Sequence, residues 1–160
     1  MKKLSCLLLV LFSMSFLACS SDDAAPNNND INNPDEALYL KFTLNGQQYD
    51  FEPETLTSLQ MLVRGDQEVG GVFRSISLWM PTTPTVGSHP ITDVFPNDAN
   101  VNTLYNANVW VGSEIVDASS GTMIITEVGQ DYVKGTFSFT GINNNETTAT
   151  VTNGSFRASK

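Results

Sequence analysis

One stretch of the sequence, residues 38–52, constrains the fold more than any other. Its first half alternates apolar and polar side chains, and Asn45-Gly46, a preferred two-residue turn of β-hairpins, follows directly. Pairing across this turn places the large apolar side chains on one face, with Leu44 opposite Gln47, Phe42 opposite Tyr49 and Leu40 opposite Phe51. The alternation and the turn therefore predict the same antiparallel hairpin.

Short apolar runs bounded by Gly, Pro, Asn and Asp continue along the chain, and no segment keeps a helical period for three turns. About 124 residues follow position 36, which is enough for one hydrophobic core. We predict that residues 37–160 form an all-β domain, either a single antiparallel β-sandwich or a flattened barrel. Strands are expected near residues 59–64, 72–80, 101–111, 122–128, 132–140 and 147–156, with room for a short strand around 91–95.

The strand predicted at 132–140 has the clearest alternation. Its expected inward side chains are those of Val133, Gly135, Phe137 and Phe139, and its expected outward ones those of Tyr132, Lys134, Thr136 and Ser138. A glycine within a strand indicates a bulge or a close approach of another backbone. We expect one of these at Gly135.

Residues 1–18 have the layout of a secretory signal peptide. Lys2 and Lys3 precede an uncharged run of 14 residues, and the small residue Ala18 stands at the expected cleavage site. A helix that spans a bilayer needs about 20 apolar residues, so this run is not expected to remain as a transmembrane anchor.

The Ala18-Cys19 pair resembles the lipobox of bacterial lipoproteins, in which the cysteine receives diacylglycerol and becomes the mature N-terminus. The pattern usually has Leu three positions before the cysteine, where this chain has Phe16. Cys6 lies within the signal, so Cys19 is the only cysteine left after cleavage and has no internal disulfide partner. The resemblance implies that acyl chains on Cys19 hold the protein at a membrane. The alternative is an ordinary signal peptide followed by a chance cysteine.

Residues 19–36 combine the cysteine with an Asn- and Asp-rich linker, which we predict to be flexible because it has too little apolar surface to fold. Ser20, Ser21, Asp22 and Asp23 resemble the export signal of Bacteroidota lipoproteins, which implies an outer-membrane protein exposed at the cell surface. The alternative is that they simply begin the linker. A calcium site is not predicted, because the EF-hand glycine and closing glutamate are missing.

The C-terminal region carries a second resemblance. Its motifs are Gly121, Ile125-Thr126, Gly135-Thr136-Phe137 with Phe139, and Thr152-Asn153-Gly154 with Phe156. Together with the opening hairpin, they resemble β-rich domains of unassigned role in Bacteroidota lipoproteins, especially flavobacterial ones. Because these domains have no assigned biochemical role, the resemblance supplies no catalytic residues and no known ligand.

Residues typical of catalysis are scarce. The single histidine, His89, lies in a Pro- and Gly-rich segment where a solvated histidine is the usual finding, and no phosphate-binding loop is present. We predict no metal, no cofactor and no catalytic residue. Loss of Lys2 and Lys3 lowers the net charge from −9 to −11, so nucleic acid is not an expected partner.

The two tryptophans suggest a binding surface. Alternation along residues 72–80 and 104–111 sets Trp79 and Trp110 on the more polar faces of their strands, with Asn106 and Asn108 beside Trp110. The opposite face of the first strand is expected to carry Val72, Ile76, Leu78 and Met80. That of the second is expected to carry Tyr105, Ala107, Val109 and Val111. Exposed Trp beside amides suits a sugar, whose C–H face stacks on the ring while its hydroxyls bond the amides. The alternative is that a loop or second sheet covers each tryptophan.

These observations predict a non-catalytic binding or accessory module with a glycan or protein partner. The alternative is a surface hydrolase that uses paired carboxylates among Asp50, Glu52 and Glu54.

Overall fold

The computed structural model describes residues 36–160. Cys19, the export residues Ser20 to Asp23 and the predicted signal peptide therefore lie outside the described residues. Eleven strands make up the fold, and the described residues contain no helix. They are β1 (Tyr39–Leu44), β2 (Gln47–Phe51), β3 (Glu54–Thr57), β4 (Met61–Val69), β5 (Val72–Met80), β6 (Gly87–Thr92), β7 (Asn106–Val111), β8 (Glu114–Asp117), β9 (Ser120–Val128), β10 (Tyr132–Ile142) and β11 (Thr148–Ser159).

The strands form two antiparallel sheets. One has six strands in the order β2-β1-β11-β10-β9-β6, and the other has five in the order β3-β4-β5-β7-β8. Among the described residues, backbone pairing joins the two sheets at one isolated bridge, between Ile91 and Tyr105, and the sheets do not close into a barrel. The all-β prediction is thus confirmed, and of its two forms the structure is the sandwich.

The predicted hairpin is present with its predicted register. Leu40 pairs with Phe51, and Phe42 pairs with Tyr49. Asn45 and Gly46 both have positive φ, 47° and 87°, as the tight turn requires. The Asn45 side chain also bonds the backbone of β11, accepting from Thr150 N at 2.8 Å, so the turn is fastened to the neighbouring strand.

Apolar side chains from the inner faces of both sheets form one core. The six-stranded sheet supplies Leu40, Phe137 and Phe156, and the five-stranded sheet supplies Ile76 and Leu78, among others. The expectation for Gly135 is also confirmed. The β9 register shifts beside it, and a Cβ there would lie 2.5 Å from the Ile124 carbonyl oxygen, closer than any side chain tolerates.

Tyr132 was predicted to face outward and is instead buried. Its ring lies under the Arg157 guanidinium, 4.1 Å from the ring centroid, and its hydroxyl donates to a Glu127 carboxylate oxygen. Two side chains on neighbouring strands thus cover a position that strict alternation assigns to solvent.

Other side chains also have a solvent exposure that differs from the one strict alternation predicts. Val72, expected inside, is 38% exposed because it begins β5 beside the Gly70-Gly71 turn. Ser75 and Ser77, on the outer face of β5, are buried although they face away from the core.

The strand boundaries differ from the prediction in the central region. β7 starts at Asn106 rather than near 101, because residues 97–103 form turns in which Asn97 N donates to Asn100 Oδ1 at 2.7 Å. The strand expected near 91–95 is β6, which extends from Gly87 through Pro90 to Thr92. It lies at the sheet edge, where proline is tolerated. β3 and β8, of four residues each, were not predicted.

A loop beside β8 is organised by one carboxylate. Glu114 accepts hydrogen bonds from Asn143 Nδ2 at 2.6 Å, Thr147 Oγ1 at 2.6 Å and Asn145 Nδ2 at 2.8 Å. These bonds, that from Asn143 first, lower the pKa of Glu114 below its ordinary value of 4.5. The ionised form therefore favours the folded loop.

Stability should consequently depend on pH through Glu114. Because its folded-state pKa is depressed, its contribution is complete above pH 4.5 and is lost as the pH falls through the lowered value. We expect Glu114→Gln to melt at a lower temperature than the unmodified protein at pH 7, with the difference shrinking below pH 4.5. Thermal unfolding across this range measures both. Glu146→Gln, an exposed acid of the same loop, serves as the control and should show no such pH-dependent difference.

Candidate functional site

The outer face of the five-stranded sheet brings together three of the four residues in the predicted platform. Trp79 on β5 pairs with Asn106 on β7, and Ser77 pairs with Asn108. Trp79, Asn106 and Asn108 all line one pocket of about 450 Å³. This volume lies within the range of small-molecule sites, about 300–1,000 Å³.

The segment after β6 forms another wall of the pocket. Asp93, Val94, Phe95 and Pro96 line it, and Phe95 is 84% exposed. Asn106 holds this segment, since its Nδ2 donates to the carbonyl oxygens of Thr92 at 2.6 Å and Val94 at 3.0 Å. One amide on β7 therefore fixes the position of the wall that carries Phe95.

The pocket walls contain acids and amides but no basic side chain. Asp93 and Asp117 line it, and no lining residue is Lys, Arg or His. Asp117 on β8 pairs with Asn108, whose Nδ2 donates to Asp117 Oδ1 at 3.3 Å. The site is therefore anionic and unsuited to a negatively charged ligand.

Two polar atoms at this site have no partner among the described residues. Asn106 Oδ1 and Thr92 Oγ1 are both buried and make no hydrogen bond. Buried polar atoms are nearly always satisfied, so these two are exceptions, but both are shielded from solvent and neither is presented to a molecule in the pocket.

Trp110 lies apart from this pocket. It contacts Phe73 edge to face, with ring centroids 5.6 Å apart and an interplanar angle of 88°. Both tryptophans are half-buried, so what separates them is position: Trp79 lines the pocket and Trp110 does not.

His89 and the three proposed acids lie away from the pocket lining. His89 Nε2 is 2.8 Å from the Thr85 carbonyl oxygen, and the ring stacks on Tyr105 with centroids 4.1 Å apart. Asp50 on β2 forms a salt bridge with Lys41 at 3.2 Å, whereas Glu54 belongs to β3 in the other sheet. Because β2 ends at Phe51, Asp50, Glu52 and Glu54 do not share one strand.

Sequence reasoning did not identify Gln60, Asp93, Phe95 or Asp117 as site residues. Phe95 carried a signal, because it is a large aromatic between turn residues in the segment Asp93 to Asp98. The others depend on which strands are neighbours, and alternation within single strands does not supply that information.

Among residues 36–160, no three His, Cys, Asp or Glu side chains are grouped closely enough to bind a metal ion. No helix in the described region has the length and hydropathy needed to cross a bilayer. Comparisons with protein-family models, curated proteins and solved structures gave no match for this chain.

Proposed function

We propose that this protein is a lipid-anchored, non-catalytic module that binds a carbohydrate in the pocket beside Trp79. The observation that carries the proposal is the convergence of Trp79, Asn106 and Asn108 in one pocket with the exposed ring of Phe95. Sugars present apolar C–H faces and polar hydroxyls, so a site that combines aromatic rings with amides suits them.

In this proposal each wall has a separate task. Trp79 and Phe95 offer apolar surface to the sugar ring, and burying that surface supplies most of the binding free energy. The Asn108 amide bonds a hydroxyl and so fixes the orientation of the ring. The position of Phe95 is already fixed before a sugar binds, because Asn106 Nδ2 donates to two carbonyl oxygens of the β6–β7 connection.

The anchor and location rest on the sequence. We propose that acyl chains on Cys19 hold the protein in the outer membrane, and that Ser20 to Asp23 place it on the cell surface, as in the Bacteroidota lipoproteins it resembles. A flexible linker of 17 residues has a typical end-to-end distance of about 20–25 Å, which lifts a domain clear of the headgroups.

Substitution of each tryptophan by alanine, one at a time, tests the proposal. In a panel of polysaccharides, we expect Trp79→Ala to raise the Kd of the bound glycan about tenfold or more, because a large apolar contact is lost. Trp110→Ala, the matched control outside the pocket, should change the Kd little. Isothermal titration of the full chain in detergent measures both.

Two results would contradict this proposal. One is equal loss of binding in both variants, which would indicate a general defect of the outer face. The other is cleavage of the glycan that disappears in Asp117→Asn, which would make the protein a hydrolase with carboxylates in this pocket.

A further inference from the structure

The hydrogen-bond donors of the pocket are largely engaged by the protein itself. Both Nδ2 hydrogens of Asn106 are directed to carbonyl oxygens, and Gln60 Nε2 donates to the Leu104 carbonyl oxygen at 2.9 Å. Asn108 Nδ2 donates to Asp117. A bound molecule therefore finds few free amide N–H groups on these side chains.

The carboxylate acceptors, in contrast, remain available. Asp93 is exposed and makes no hydrogen bond or salt bridge within the described residues, and the Asp117 carboxylate takes one hydrogen bond at 3.3 Å. Ionised carboxylates accept hydrogen bonds only, so the unfilled capacity of the site is for donors.

The charge of the pocket also favours a ligand that donates hydrogen bonds and is positively charged. Two carboxylates and no basic side chain line the pocket, so a cationic group gains attraction there while an anionic one is repelled. The aromatic rings add to this preference, since the face of a tryptophan attracts a cation. An ammonium group, with three donors and one positive charge, matches both properties.

We infer that the pocket selects an amino sugar whose amine is free and protonated, the ammonium being held by Asp93 and Asp117 while the sugar ring lies against Trp79. This inference rests on the proposed carbohydrate-binding function. It adds that the amine, rather than the hydroxyls alone, determines which sugar is bound. Uronic acids and phosphorylated sugars are excluded by the same carboxylates.

Three oligomers of equal length test the inference: one of glucosamine, one of N-acetylglucosamine and one of glucose. The full chain in detergent carries Trp110→Phe, so that Trp79 is the only tryptophan and its fluorescence reports binding. We expect the glucosamine oligomer to bind at least about tenfold more tightly than the other two, as hydrogen bonds to charged groups contribute that much. Its Kd should also rise with salt, which screens the carboxylates.

Variants identify the carboxylates responsible. Asp117→Asn and Asp93→Asn should each raise the Kd for the glucosamine oligomer about tenfold and leave that for the glucose oligomer nearly unchanged. Asp98→Asn, an exposed acid near Asp93 that does not line the pocket, is the matched control and should bind like the unmodified chain.

The outcomes separate this inference from the proposed function. If the three oligomers bind with equal affinity and all lose it in Trp79→Ala, the carbohydrate site stands and the amine selection is wrong. Tighter binding of the acetylated oligomer, or of a lysine peptide, also overturns the inference. If no oligomer or other glycan binds, both proposals fail.

Discussion

Replacement of Cys19 by Ala is expected to remove the protein from the membrane fraction or leave it as an unprocessed precursor. Cys19 supplies the only thiol at the predicted cleavage site, and diacylglycerol transfer requires that thiol. A buried acyl chain contributes about 0.8 kcal/mol per CH₂, so two or more chains hold a protein firmly and their loss releases it. The effect should therefore be nearly complete.

Mass spectrometry of the mature N-terminus and fractionation of membranes measure the result. Cys6→Ala is the matched control, because Cys6 lies within the predicted signal peptide, and it should leave the expected acylation of Cys19 unchanged. Detection of an unmodified Cys19 at the mature N-terminus in the native host would refute lipidation.

Truncation of Phe156 is expected to cause the largest loss of stability. Phe156, on β11, is completely buried. The centroid of its ring lies 6.3 Å from that of Phe137, and the ring also packs against Gly135. Phe→Ala changes in a core cost about 3–5 kcal/mol, because apolar burial is lost and a cavity remains. Since whole domains are stable by only about 5–15 kcal/mol, Phe156→Ala should unfold at a much lower urea concentration.

Phe95→Ala provides the comparison for this experiment. It makes the same chemical change at a side chain that is 84% exposed, so we expect the urea midpoint to stay close to that of the unmodified protein. It should nevertheless weaken glycan binding, because Phe95 lines the pocket. Equal destabilisation by the two variants would show that the packing of Phe156 is not what the structure indicates.

The sequence was sufficient to predict the hairpin because two independent signals agreed. Alternation placed Leu40 and Phe42 on one face, and Asn45-Gly46 fixed the register. β3 and β8 were not predicted, because a strand of four residues is too short to show a clear alternation of apolar and polar side chains. Tyr132 was misassigned because Arg157 and Glu127, on the two neighbouring strands, cover it, and alternation within one strand does not show this.

The site was only partly predictable for the same physical reason. Alternation within β5 and β7 placed Trp79 and Asn106 on outer faces, but the pocket exists because these strands are neighbours and the connection after β6 folds beside them. Trp110 shares the predicted pattern yet lies against Phe73. Tertiary contacts, which alternation does not reveal, therefore decide that Trp79 lines the pocket and Trp110 does not.

The strand register of the six-stranded sheet defines two opposite ends of the domain, which we call its poles. At one pole β1 begins, where Tyr39 pairs with Arg157. At the other pole Thr92, which borders the pocket, pairs with Ser120, and Ser120 pairs with Thr140.

The chain therefore enters the domain at the pole opposite the pocket. The C-terminus lies at the entry pole too, since Lys160 N donates to the Asp131 carbonyl oxygen beside the start of β10. If the entry pole faces the bilayer, the pocket lies near the end of the domain farther from the membrane, where a polymer much longer than the pocket has room to lie across it. A label added after Lys160 would occupy the sheltered pole and leave the pocket free.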